Sequence, residues 1–473
     1  MVEVLQFQEQ HSAPLQAHRL SLTVLSSIFL GSPVAEEPVV AADAPPWARS
    51  FIQREFRACV PNFEALRDER ETAPHPRTGV ATGLETCFIS RVVPGRPLAM
   101  FKVFGRGDAQ FCLVFAGLLN RVTHVIIADL QCIIFDLDRA GAVPIWEAFV
   151  EHGQPALDMA EDDADVPRRI GVIDMVTSYA HQAMNHLSGL QRLIDSGLDR
   201  QVDEIWVCGT EFFGRTADIF PELVGKIRHV SREFAAESLG RSPHRLSKIG
   251  SNFITASLHE RMEEWLRRQG GEPADAAARS PVIAVTVRSM GRRCRNLPEV
   301  VGAIVAGLLP RYPKLGVVLD GWVFPETKMI ARSSVVTAIS GSHLARLREE
   351  AVQCEKIAAR LPAGVLVGNV VGLSLLQSLR GLRGVDAYFA HAGTLQHKIA
   401  WFTGTNGVVH GPRTELSRLE SSYYASARAL TPRFVDGQAI TDHPGEAGHD
   451  RSNDYEITDS GGIIRVLAEI LGE

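Results

Sequence analysis

The chain has 473 residues, with 49 Lys and Arg against 55 Asp and Glu, a formal net charge of −6. Charged residues at 22% and hydrophobic residues at 45% make a globular mixture and exclude a disordered chain, and the slight acidic excess excludes a global nucleic-acid footprint. One hydrophobic core rarely serves more than about 250–300 residues, so two domains are expected.

Residues 1–80 are interrupted by Pro38, Pro45, Pro46, Pro61, Pro74 and Pro76 and read as an N-terminal extension with a short helix near 47–59. The apolar run at 20–31 is too short to span a bilayer, which takes about 20 residues, and starts too far in for a signal peptide. β-rich runs follow: a hairpin of 86–93 and 98–104 around Pro94-Gly95, then 111–115, 122–128 and 132–135. From 169 strands and helices alternate: strand 169–175, helix 179–196, strand 204–209, a short helix 217–224 and an amphipathic helix 257–269. The Gly-, Pro- and Ala-rich stretch 270–281 reads as a linker. Beyond it come strands at 282–287, 315–319, 364–367, 387–390 and 407–410, with helices at 299–309, 341–361, 373–382, 394–402 and 461–471. Apolar strands alternating with helices indicate parallel sheets covered on both faces. The expected division is 1–80, an α/β domain at 81–270 and a second α/β domain at 280–473.

The seven cysteines show no CxxC spacing, which points to free, buried thiols in a reducing compartment. The expectation is a cytoplasmic protein without a transmembrane segment, peripheral membrane contact being left open.

Ligands of open parallel sheets bind beyond the carboxyl ends of the strands. Four clusters sit there. Arg288, Arg292, Arg293 and Arg295 fall within eight residues after the strand at 282–287. Their planar forks match phosphate, although a solvated basic loop is the plainer alternative. In the second cluster, His391-Ala392-Gly393-Thr394 leads from a strand into a helix that carries Lys398 one turn in. Exposed amides at such a helix start attract anions, and Gly393 allows close approach. The third is His181 and Asn185, four apart on one helical face after Asp174, which suits a general base or a hydrogen-bonded helix histidine. The fourth, Asp136-Leu137-Asp138, reads as a hard-cation site, as a phosphatase-type nucleophile or as a capped strand end. No P-loop, HExxH or GxSxG is present, and Gly209 and Gly214 have the wrong spacing for a dinucleotide fingerprint.

Taken in order, the first three clusters resemble glycosyltransferase family 61-like proteins. His181-x-x-x-Asn185-x-Leu187 looks like the family's early histidine helix. Arg288, Arg292, Arg293, Asn296 and Glu299 are similar to its arginine–asparagine–glutamate element, and His391 to Leu395 to its His-Gly-Ala-Gly-Leu turn. Ala392 stands where that turn has its first Gly, and Thr394 where it has the second. The resemblance covers 165–412 and leaves the first 160 residues without a counterpart.

It implies two Rossmann-like α/β domains facing across a cleft, the GT-B arrangement, with an extra N-terminal α+β region. It also implies transfer of a sugar from a nucleoside-diphosphate donor, such as a UDP- or GDP-sugar, to a hydroxyl of a glycan or protein acceptor, as in polysaccharide or glycoprotein biosynthesis. No metal is required and no cofactor is expected. On that reading Arg288, Arg292, Arg293, Lys398 and the turn of His391, Gly393 and Thr394 neutralise the diphosphate. Trp322, after Asp320, either stacks on base or sugar or packs in the core, and Glu415 either accepts from ribose or is a surface carboxylate. His181 is the base, with Asp174 in reserve. The partners are then a nucleotide sugar and its acceptor, with a homodimer allowed and no nucleic acid. The alternatives are a metal-dependent phosphatase or transferase on Asp136 and Asp138, and a non-catalytic nucleotide- or protein-binding module.

Overall fold

The computed structural model describes all residues except 1, 8–12, 31–37, 60–65, 67–70, 93–97, 118–120, 137–140, 163–167, 176–177, 241–243, 270–279, 290, 327–341, 418–419, 444–452 and 473. Most of the 270–281 stretch therefore lies outside the described residues. The chain divides into two compact units. Unit 1 comprises Met1–Pro38, Ser50–Gly209 and Thr216–Ile254, and unit 2 comprises Val39–Arg49, Thr210–Arg215 and Thr255–Glu473.

Unit 1 carries two sheets. The strands β1 (Glu3–Gln6), β2 (Thr72–Pro74), β3 (Ala81–Ser90), β4 (Ala99–Phe104), β5 (Phe111–Phe115), β6 (His124–Ile127) and β7 (Cys132–Phe135) form a seven-stranded sheet in the order β1-β7-β6-β5-β4-β3-β2. All its neighbours run antiparallel except β1, which joins β7 in parallel and so ties the N-terminal region into this sheet. Successive side chains of a strand point to opposite faces, and here both faces are covered. Phe88, Phe101, Val103, Cys112, Val114, Ile126 and Ile133 pack under helix α1 (Ala142–Asp162). Cys87, Ile89, Met100, Leu113, Val125 and Ile134 pack with Ile170, Val172, Trp206 and Leu246 of the second sheet. Two buried faces explain why these strands read as continuous apolar runs.

The second sheet has β8 (Arg169–Met175), β9 (Glu204–Gly209), β10 (Ile227–Val230) and β11 (Arg245–Lys248), all parallel, in the order β10-β9-β8-β11. The helix expected over 179–196 is divided. Tyr179–His181 is α-helical, Gln182–Leu187 is a π-helical turn, and α2 (Ser188–Asp195) resumes the α form. The reason is local packing: a Cβ on Gly189 would lie 2.3 Å from the Gly250 Cα, so this helix sits directly on the backbone that follows β11. Helix α3 (Arg232–Leu239) covers the opposite face through Ala235 and Leu239, its first turn capped by the Ser231 hydroxyl.

Unit 2 begins with α4 (Ala256–Arg268), capped by Thr255. Its sheet uses β12 (Val282–Thr286), β13 (Gly316–Asp320), β14 (Leu366–Asn369), β15 (Ala387–His391), β16 (Gly407–His410) and β17 (Arg433–Phe434). All are parallel, in the order β14-β13-β12-β15-β16-β17. Counted along the unit, that order is third, second, first, fourth, fifth, sixth, the doubly wound Rossmann order. The helices α5 (Leu297–Leu308), α6 (Ser342–Arg360), α7 (Leu375–Gly381) and α8 (Thr394–Thr403) connect its strands, and α9 (Ser460–Ile470) closes the chain. A hairpin of β18 (Ile440–His443) and β19 (Asp454–Ile457) lies beside them. No described helix is long and apolar enough to cross a membrane.

Candidate functional site

In a doubly wound sheet the crevice opens where the strand order reverses, because the connections leave in opposite directions there. In unit 2 that point lies between β12 and β15, which pair from Ile283–Ala387 to Val285–Phe389. The residues that emerge from these two strands are the arginine loop and the His391 turn.

Thr286 ends β12 with no exposed surface. Its hydroxyl accepts from the His391 amide at 2.7 Å and meets the His391 Nδ1 at 2.9 Å. The hydroxyl has one proton to give and no other acceptor among the described residues, so satisfying it assigns that proton to Nδ1 and the imidazole proton to Nε2. That Nε2–H is buried and has no partner among the described residues. His410, the last residue of β16, repeats the arrangement: its Nδ1 takes the Tyr455 hydroxyl at 2.6 Å and its buried Nε2 is unpartnered. Burial first, then His410, Arg288 and Arg292, hold the His391 pKa well below that of a free histidine, so it is neutral at pH 7. Burial alone pushes His410 down to about 3.

Arg288 donates from Nε to the Gly291 carbonyl at 2.7 Å, which curls the loop back on itself. Gly291 and Arg292 both have positive φ, at 53° and 59°. This turn brings the Arg292 guanidinium over the start of α8, where a Cβ on Gly393 would lie 3.7 Å from it. Gly393 itself has φ 98°. Arg292 is paired with Glu415 at 3.1 Å. Burial first, then the neighbouring Arg292, push the Arg288 pKa down to about 10.

Other predicted residues face elsewhere. Arg293 is held by Asp454 of β19, with its amide, Nε and a terminal nitrogen at 3.0, 3.0 and 2.7 Å. Lys398 and Asp320 are fully buried and belong to each other: the ammonium donates to Asp320, to the Ser378 hydroxyl at 3.1 Å and to the Gly321 carbonyl at 3.2 Å. Burial raises the Asp320 pKa and lowers that of Lys398, their mutual attraction opposing both. Trp322 packs edge-to-face on Phe324 with 4.4 Å between ring centroids. Sequence reasoning missed Thr286, His410 and Tyr455. Thr286 and His410 were legible as strand-end polar residues, whereas Tyr455 reaches the site through β19, which pairs along residues 293–295.

The remaining predicted residues are in unit 1. Asp174, at the end of β8, accepts from Arg232 Nε at 2.5 Å and from the Leu98 amide at 2.6 Å. Asn185 spends both amide protons, on the Ser251 carbonyl at 3.0 Å and on Asn252 Oδ1 at 2.7 Å. Its Oδ1, 3.0 Å from His181 Nδ1, must therefore accept, which fixes the proton on Nδ1 and leaves a lone pair on Nε2.

The metal-dependent alternative loses its first residue. Asp136 is neutralised by Arg121 at 2.7 Å, an arginine buried against Glu55 as well, so it is engaged as a structural ion pair. Asp138 lies outside the described residues. Among the described residues no group of three or more His, Cys, Asp or Glu is placed to hold a metal ion. A cavity of about 550 Å³ in unit 1, walled by Arg91, Glu147, Glu151, His152 and Glu237, contains none of the predicted residues.

No protein-family model matches the chain, and no curated protein does. Among solved structures it is similar to the iron-containing dodecameric glycosyltransferase TibC of enterotoxigenic E. coli, at 11% identity over 63% of this chain and 68% of that one, with a TM-score of 0.28. It is also similar to a family 9 glycosyl transferase of Veillonella parvula, at 10% identity over 56% and 94% of the two chains, TM-score 0.27. TarM aligns at 8% identity over 86% and 73%, TM-score 0.22. With every TM-score below 0.5, these likenesses carry no weight for the site, which stands on the chain's own residues.

Proposed function

We propose that the chain is a glycosyltransferase that takes its sugar from a nucleoside-diphosphate donor bound at the strand reversal of unit 2. One observation carries the reading: Arg288, Arg292, the unpartnered Nε2–H of His391 and the amides at the start of α8 all come from the ends of β12 and β15. Departure of a nucleoside diphosphate builds negative charge on its phosphate oxygens, and fixed donors in a partly dry site stabilise that charge without reorganising. A neutral histidine serves as a donor here, because a third cation beside two arginines would be repelled. Arg293 and Lys398, spent on Asp454 and Asp320, are left out of this role.

His181 is the proposed general base. Asn185 holds it in the tautomer whose Nε2 can accept the acceptor's hydroxyl proton. No protein group in this scheme calls for a metal ion. Calorimetric titration of UDP, GDP and their sugar conjugates tests the reading. One of them should bind, and Arg292→Ala should weaken it about tenfold to a hundredfold, the worth of one charged hydrogen bond. Absence of binding by every nucleotide, or unchanged affinity in both Arg288→Ala and Arg292→Ala, refutes it.

A further inference from the structure

The parallel sheet of unit 1 has a reversal of its own, between β8 and β11. Lys248 is the last residue of β11 and pairs with Val172. In a parallel ladder paired residues share a face, and so do residues two apart, so Lys248 and Asp174 project from the same face of adjacent strands. Lys248 is 5% exposed. Its ammonium donates to the Gly117 carbonyl, and no other partner for it occurs among the described residues. Asp174 does not neutralise it by contact, because Arg232 and the Leu98 amide hold both carboxylate oxygens. Arg232 is further bound to the Met175 carbonyl at 2.7 Å. The strand ends thus hold two cations and one carboxylate.

His186 adds the second observation. It belongs to the π-helical turn that Asn185 and Ser251 fasten to the backbone after β11, by reciprocal bonds of 2.8 and 3.0 Å. It is 4% exposed, and both ring nitrogens are buried without a hydrogen-bond partner among the described residues. Burial, then the charges of Lys248, His181 and Arg232, push its pKa down to about 3, so the ring is neutral and sits within the field of that lysine. Burial also lowers Lys248 to about 8, with Asp174 opposing. Folding alone disfavours a buried ammonium without a counter-ion in contact near an imidazole that has no hydrogen-bond partner among the described residues. π-Helical turns of this kind recur at binding sites.

We propose that unit 1 binds a small oxyanion, a carboxylate or a phosphate group, between the Lys248 ammonium and the ring N–H of His186. The site is independent of the nucleotide site in unit 2. An acidic acceptor is one source of such a group, and a free anion is another.

The test is titration of the full chain with sodium acetate and, separately, inorganic phosphate at constant ionic strength, read by the side-chain ¹⁵N resonances of His186 and by the thermal midpoint. One anion should move both, saturably, while chloride does not. Lys248→Gln should weaken the response of the His186 resonances at least tenfold, and Arg292→Ala should keep that response. His186→Gln in the Arg292→Ala background should show no remaining anion-dependent rise of the thermal midpoint. The acetate and phosphate arms distinguish the two groups. The proposal is overturned if neither anion shifts the His186 signals of the wild-type chain, a reading that needs no variant to fold. It is equally overturned if Lys248→Gln responds like the wild type while Arg292→Ala does not. A crystal structure grown in phosphate and acetate that shows only an ordered water on His186 would also end it.

Discussion

Lys398→Met and Asp320→Asn separate a buried structural ion pair from a phosphate ligand. Both side chains have no exposed surface, and Asp320 Oδ2 has no hydrogen-bond partner among the described residues. Without the ammonium, Asp320 keeps the Ser378 hydroxyl on Oδ1, at 3.1 Å, and the Gly321 amide, neither of which carries a charge. A bare buried carboxylate escapes by taking up a proton. A free Asp has a pKa of ~3.9 and each pH unit above it costs about 1.4 kcal/mol, so Lys398→Met should lose about 4 kcal/mol at pH 7. In that variant the folded pKa of Asp320 lies above the unfolded one. The folded state then holds the extra proton, and stability falls as pH rises, leaving a loss of only about 1.5 kcal/mol at pH 5.

Asp320→Asn gives the opposite slope. The stranded lysine sheds its proton from a free value of ~10.4, at a cost of about 4.5 kcal/mol at pH 7 that shrinks to about 2 kcal/mol at pH 9. The double variant removes both charges and should regain much of either loss with little pH dependence. Urea unfolding and calorimetry at pH 5, 7 and 9 measure all three. Single variants within about 1 kcal/mol of the wild type, or a Lys398→Met protein of unchanged stability that binds UDP at least tenfold more weakly, would show the lysine to be a ligand and the reasoning wrong.

Glu415→Gln releases Arg292 from its 3.1 Å pair and should leave UDP affinity equal or higher; a loss matching that of Arg292→Ala would put Glu415 on the ligand instead. His181→Ala should lower kcat about 10²- to 10⁴-fold while calorimetry finds the nucleotide affinity intact, and Asn185→Leu should lower kcat less, since it frees the tautomer but keeps the base. Gly393→Ala forces φ 98° on a residue with a Cβ and should cost about 1–3 kcal/mol in urea unfolding. Asp454 is shifted upward by burial but more strongly downward by its bonds to Arg293, leaving its pKa below the free value. Its stabilising effect is then complete above about pH 4 and lost as pH falls through the lowered value; Asp454→Asn should flatten that acid limb in calorimetric scans.

The apolar strands β12, β13, β15 and β16 announce themselves in the sequence because both sheet faces are buried, which makes the positions before their polar last residues apolar or small. The shortest strands do not. In β11 the sequence Arg-Leu-Ser-Lys has one large apolar residue in four, and its place comes from pairing with β8, some 76 residues earlier in the chain. Helix α1 contains Pro144 and Pro155, which read as breaks, yet it spans 21 residues because Ile145, Ala148, Phe149 and Ala156 cover the sheet. The π-helical turn leaves no signal, since it is a matter of packing on Gly250. Likewise spacing identified the arginine loop, but it could not divide the loop into arginines that face a ligand and arginines that face Asp454, a residue 161 positions from Arg293.

On the two readings proposed above, the units solve one problem twice. In each, the first strand of a parallel sheet lies between the second and the fourth; His391 ends β15 near Arg288 and Arg292, and the buried His186 of the π-helical turn feels the charge of Lys248 at the end of β11. Burial depresses both histidines, so neither contributes charge at pH 7; each contributes a directed N–H next to a charge supplied by another residue. That combination selects for anions without a pH switch. A charged histidine would attract as strongly, yet it would repel its arginine or lysine neighbour in the empty site and release its ligand as pH rose through its pKa. A neutral donor avoids both, at the cost of a polar atom left unpaired whenever no anion is bound.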